Sequence, residues 1–199
     1  MISAEEFLRA HPVGPEADAA APAESRGGGR ARLPMRSRSS WSVRGVDDPM
    51  DVDACREAAL RLLDAAPRSS GTLRERLTDR GYDADVVEAV ILRLAQVRLI
   101  DDEAYARSAV RYCAARLMGG RGAAAELARR GVDRGMAQRI VTQAESEGVF
   151  EEAAWELGRR YAAKTEGMDP ERRRRRFWAA GGRKGHAPDV LRRVAQELF

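Results

Sequence analysis

The chain has 199 residues, 44% of them hydrophobic, 33% charged and only 6% aromatic. That balance suits a soluble protein of one or two domains, rich in exposed helix, with a core of Leu, Val, Ile and Ala, and it favours helices over sheets. The net charge of +4 is unevenly placed: residues 1–50 carry seven basic and seven acidic side chains, and residues 151–199 carry twelve and eight.

Residues 1–51 read as a disordered extension rich in Ala, Pro, Gly and Arg, with too few large apolar side chains to offset the entropy of ordering. Six arginines stand between Arg26 and Arg44 with no acid among them and Trp41 nearby. They form either a solvated tail or a basic arm for an acidic or nucleic-acid partner. Met1 to Leu8 lacks the apolar core of a signal peptide, and no run approaches the ~18 apolar residues of a membrane span. Cys55 and Cys113 form no C-x-x-C pair and lie in helical patterns, as buried free thiols do. A cytoplasmic location is expected.

From Val52 the texture changes. A helix carrying Ala58, Ala59, Leu62 and Leu63 ends at Pro67. A second, capped by Ser69 or Ser70, carries Leu73 and Leu77 and stops at Gly81. A third, capped by Asp83, places Val86, Val87, Val90, Ile91 and Leu94 on a wide apolar face. Leu99 and Ile100 then form an apolar plug before Asp101, an N-cap followed by Asp102 and Glu103 where the helix dipole favours acids.

The same order returns twice. Asp101 to Met118 is a helix broken at Gly119-Gly120, Arg121 to Arg130 a second that stops at Gly131, and Asp133 caps a third carrying Met136, Ile140 and Val141. Phe150 to Lys164 opens the last set, Asp169-Pro170-Glu171 starts its second helix, and the third begins near Pro188. The helix-ending glycines set the register. Gly81 to Gly131 is 50 residues and Gly131 to Gly185 is 54. Leu77, Leu127 and Gly181 stand four residues before them; Val86, Met136 and Val190 stand five after, and Val90, Ile140 and Val194 nine after. The fold class expected is all-α: three tandem three-helix repeats (52–100, 101–149 and 150–199) in an elongated, curved stack. Gly181-Gly182 should make the eighth helix fray or end early, since glycine inside a helix costs roughly 1 kcal/mol against Ala.

Residues 52–199 resemble the RecX family of RecA modulators. The resemblance rests on Ala59-Leu60…Leu63, Arg68-Ser69, Arg80-Gly81-Tyr82 and Val90-Ile91-Leu92-Arg93-Leu94, then on Leu99-Ile100-Asp101-Asp102-Glu103-Ala104-Tyr105-Ala106 and Glu126-Leu127-Ala128-Arg129-Arg130-Gly131-Val132. Leu-Ile-Asp-Asp followed by an aromatic-Ala pair is the most specific of these. The resemblance implies three tandem three-helix repeats and a non-enzymatic monomer without cofactor. Such a protein lies along the groove of a RecA–DNA filament, bridges protomers, and restrains ATP hydrolysis and strand exchange in recombinational repair and the SOS response. A weak direct DNA contact is a further expectation. The family pattern has Leu where Gly181 stands and an aromatic where His186 stands.

No catalytic or metal constellation stands out. His11 and His186 have no Cys or carboxylate at ligand spacing, Asp101-Asp102-Glu103 fits capping better than cation binding, and Gly27-Gly28-Gly29 lacks the Gly-Lys-Ser/Thr of a phosphate loop. Arg172, Arg173, Arg174, Arg175 and Arg176 go right round a helix at ~100° steps, so some must face a neighbour or a ligand. Arg111, Arg116, Arg121, Arg129, Arg130, Arg183 and Lys184 complete the candidate partner-binding set. Tyr82, Tyr105, Tyr112 and Trp155 read as core aromatics. The alternative function is a helix-turn-helix DNA binder using Arg134, Gln138 and Arg139, or Arg192, Arg193 and Gln196.

Overall fold

The computed structural model describes residues 46–199; the expected disordered extension falls, up to residue 45, outside the described residues, as do Trp41, His11 and the arginines from Arg26 to Arg44. The described residues form nine helices and no strand: α1 (Val52–Ala65), α2 (Ser70–Asp79), α3 (Ala84–Gln96), α4 (Asp102–Ala115), α5 (Gly120–Arg129), α6 (Arg134–Ser146), α7 (Val149–Lys164), α8 (Pro170–Lys184) and α9 (Pro188–Leu198). None is long and apolar enough to cross a membrane.

Short polar side chains start the helices by accepting from the free amides of the first turn. Asp51 accepts from the Ala54 amide, Ser69 from Thr72, Asp101 from Ala104, Asp133 from Met136 and Asp169 from Arg172. The stops differ. Gly81, Gly131 and Gly185 adopt φ of +100°, +69° and +80°, as the shared register requires. Arg98 and Leu117 take the same left-handed turn, each with φ +58°, without being glycine.

The helices pack in threes. Leu73, Leu77, Val87 and Val90 centre the first core, closed by Ile100. Val110, Cys113, Leu127 and Val141 centre the second, closed by Phe150. Leu157, Phe177, Leu191 and Val194 centre the third. The register positions nine after each glycine are buried in all three, whereas Met136 and Val190 are only half-buried.

Two expectations fail. Leu99 is no plug: it is 55% exposed, while Ile100 is 5% exposed. Its amide bonds back to the Leu94 carbonyl (2.9 Å) after the left-handed turn at Arg98, and that closing turn sends the side chain outward. Nor does α8 fray at Gly181-Gly182; it runs unbroken to Lys184. The Leu191 side chain of α9 occupies the space above Gly181, where a Cβ would strike it, so packing replaces the missing side chain.

Candidate interaction surface

The middle helices of the three sets meet end to end. At the first junction the C-terminal turn of α5 meets the N-terminal turn of α2: the Arg130 carbonyl accepts from Ser69 Oγ (2.5 Å) and Thr72 Oγ1 (2.9 Å). Gly71 and Gly131 touch backbone to backbone there, with no room for a Cβ on either. At the second junction α8 meets α5 in the same register, as the Lys184 carbonyl accepts from the Gly119 amide (2.9 Å) and the Gly185 carbonyl from Arg121 (3.2 Å). Carbonyl-rich ends thus meet amide-rich ends, which the helix dipoles favour.

The two junctions differ in what surrounds that contact. The first is polar, with the Ser70 amide and hydroxyl donating to the Asp102 carboxylate (2.8 and 2.5 Å). The second is apolar and interlocked, because Leu117 leaves the second set and enters the core of the third. Its carbonyl accepts from Nε2 of His186, 3.0 Å away, in a fully buried site. Burial pulls the His186 pKa below its ordinary 6.5, against the opposing pull of the Leu117 and Phe150 backbone and with a small push from Lys184. The ring is therefore neutral with its proton on Nε2.

That second junction gathers several of the candidate cations. Arg121 donates to the His186 carbonyl (2.9 Å), and Lys184 to that of Arg116 (2.6 Å). Burial, and then the charges of Arg116 and Arg160, lower the Lys184 pKa. Arg116 and Arg130 approach the Tyr112 ring at 5.5 and 5.4 Å, so Tyr112 is half-buried between cations and not a core aromatic. Trp155 is likewise only half-buried, whereas Tyr82 and Tyr105 belong to the core. At the other end of α5, beside the first junction, Arg130 and Arg129 bind Glu126 at 2.7 and 2.8 Å. Burial alone would raise the Glu126 pKa, but those two hydrogen-bonded guanidinium groups hold it below the usual carboxylate value. Arg111 is exposed on α4.

The arginine run divides. Arg173 turns inward, donating to the Ala162 carbonyl (3.2 Å) and Thr165 Oγ1 (3.3 Å) with its guanidinium over Phe199 at 5.4 Å. Arg172, Arg174, Arg175 and Arg176 are exposed, as is Arg183 further along α8. Apart from Arg183, these exposed arginines lie in the first half of α8, away from Lys184 at its end. Leu117 and His186 were not singled out from the sequence as contacts. A leucine in a left-handed turn leaves no mark in composition. For the helix-turn-helix alternative, Arg134, Gln138 and Arg139 are exposed, whereas Arg193 is paired with Glu151 at 2.9 Å. No group of His, Cys, Asp and Glu among the described residues can hold a metal ion.

Comparison with known proteins follows this geometry. Residues 55–94 match the family model for the first three-helix domain of RecX. The chain is 36% identical over 156 residues to the regulatory protein RecX of Thermobifida fusca, covering 77% of this chain and 83% of that one. It is 32% identical over 162 residues to the one of Streptomyces coelicolor, covering 81% and 86%. The crystal structure of RecX from Lactobacillus salivarius superposes with a TM-score of 0.67 at 21% identity, over 74% of this chain and 96% of that chain. A second crystal structure of regulatory protein RecX gives 0.64 at 23% identity, over 73% of each. The solved structures speak for the fold: all-helical sets in a row.

Proposed function

This chain belongs to the RecX family of regulatory proteins, and from that premise we propose that it binds the RecA–DNA filament as a cytoplasmic, non-enzymatic monomer and restrains RecA's ATP hydrolysis and strand exchange. The observation that carries the reading is identity to regulatory proteins across most of the helical region, 81% of the chain in one case. The geometry supports it. Sets of helices joined end to end present successive similar surfaces, which suits a partner that is itself a repeating polymer. The expected boundaries 52–100, 101–149 and 150–199 are proposed as the units that address successive protomers. Arg111, Arg116, Arg121, Arg129 and Arg130 of the middle unit, with Lys184, are proposed to meet acidic surface on the filament.

The test is RecA's DNA-dependent ATPase with the purified chain titrated in. ATP turnover and strand exchange should fall at substoichiometric amounts, and the chain should co-sediment with RecA filaments. Unchanged turnover at excess chain would remove the regulatory reading.

A further inference from the structure

We propose that Lys184 is an acylation site, taking its acyl group from a small acyl phosphate that the neighbouring guanidinium groups draw to it. The chain uses arginine almost throughout: of its 35 basic side chains, only Lys164 and Lys184 are lysine. A guanidinium does not lose its proton in a protein. Among the cations gathered at the second junction, only Lys184 can therefore become a neutral nucleophile.

Its surroundings favour that form. Nζ donates to the Arg116 carbonyl (2.6 Å) at the end of α4, which holds the side chain back across the junction. The residue is half-buried, partly stripped of water and still open to it. Among the described residues no carboxylate pairs with Lys184 or with Arg116, whose guanidinium donates to the Tyr112 hydroxyl (2.8 Å). Arg160 shares the Glu156 carboxylate with Arg159, at 2.8 and 3.0 Å. Burial, and then the charges of Arg116 and Arg160, act against the ammonium form of Lys184. Desolvation beside another cation is a general way to activate a lysine amine. Lys164, at the end of α7, is exposed and serves as the comparison within the same chain.

The same cations select the donor. A guanidinium with no acid to satisfy it binds a phosphate group, whereas an uncharged ester gains nothing from it. The ammonium first gives one proton to water. The free amine then attacks the acyl carbon. A C–N bond forms, the acyl C–O bond breaks, inorganic phosphate leaves with the electron pair, and a second proton passes from nitrogen to solvent. The product is an uncharged amide that keeps one N–H for the Arg116 carbonyl and has lost the charge. On the filament reading, this removes one of the cations proposed to meet the partner. The transfer itself needs no recombinase, so its test is separate from that of filament regulation.

The full chain is incubated with acetyl phosphate, and acetylation of Lys184 and Lys164 is followed in time by peptide mass spectrometry. Lys184 should react several-fold faster than Lys164. The preference should shrink with p-nitrophenyl acetate, an uncharged donor, and with Arg116→Gln. Arg160→Gln, at an exposed position of α7, gives the same reading if the first variant does not fold. In urea the two lysines should react alike. The proposal is overturned if Lys164 reacts as fast as Lys184 in the folded chain, or if the preference survives in urea. It is equally overturned if the preference is the same for both donors, or if neither substitution lowers it.

Discussion

His186 shows how one buried side chain can couple two parts of the molecule. Its neutral ring donates to the carbonyl of Leu117, a residue held in a left-handed turn that costs a non-glycine roughly 1–2 kcal/mol. Because its folded pKa lies below the unfolded 6.5, the folded state resists the proton that the unfolded chain accepts. Stability from this group is complete above pH 6.5 and declines as pH falls through that value toward the folded pKa. Thermal melts from about pH 7 down to pH 5 should therefore show a falling melting temperature, and His186→Phe should flatten that decline. An equal decline in the variant would assign it to other groups. The thiols titrate far from this window: burial, aided by the Glu126 charge, raises the Cys113 pKa to about 11, so it should resist alkylation in the native state.

At the scale of the element, α8 holds two adjacent glycines with opposite roles. Gly181 is filled by Leu191, so Gly181→Leu should destabilise by about 1–3 kcal/mol in chemical denaturation through overpacking. Gly182→Ala should instead stabilise by about 0.5–1 kcal/mol, since nothing contacts that position. A loss of stability in the second variant would mean that the face is packed against something. The sequence pointed to a weak helix here because propensity sums local costs, and the side chain that offsets one of them comes from α9. The helix starts, by contrast, were legible almost to the residue. Asp101, Asp133 and Asp169 each cap within their own turn, so no distant partner is needed. For the candidate surface, the arginine run was legible but its division was not. Only the fold shows that Arg173 faces Phe199 while its neighbours face solvent.

Across the whole molecule, the glycine register foretold the three sets because a helix stop and its two core contacts recur together. It carried no information on how firmly the sets are joined. The first junction rests on hydroxyls, one carboxylate and a glycine pair, while the second has Leu117 driven into the next core. Residues 52–100 should therefore swing more freely on the middle set than residues 150–199 do. Asp102→Ala should broaden the solution-scattering distance distribution while far-UV circular dichroism stays nearly constant. An unchanged distribution would show that the backbone contacts alone fix the angle. The end-to-end order of α8, α5 and α2 has a last consequence. The middle helices join head to tail, C-terminal end to N-terminal end at both junctions, so the arginine-bearing start of α8 and the far end of α2 are unlike poles. A molecule of that kind has a front and a back. Laid on a directional polymer, it fits one way round, and successive copies along the same track would all point alike.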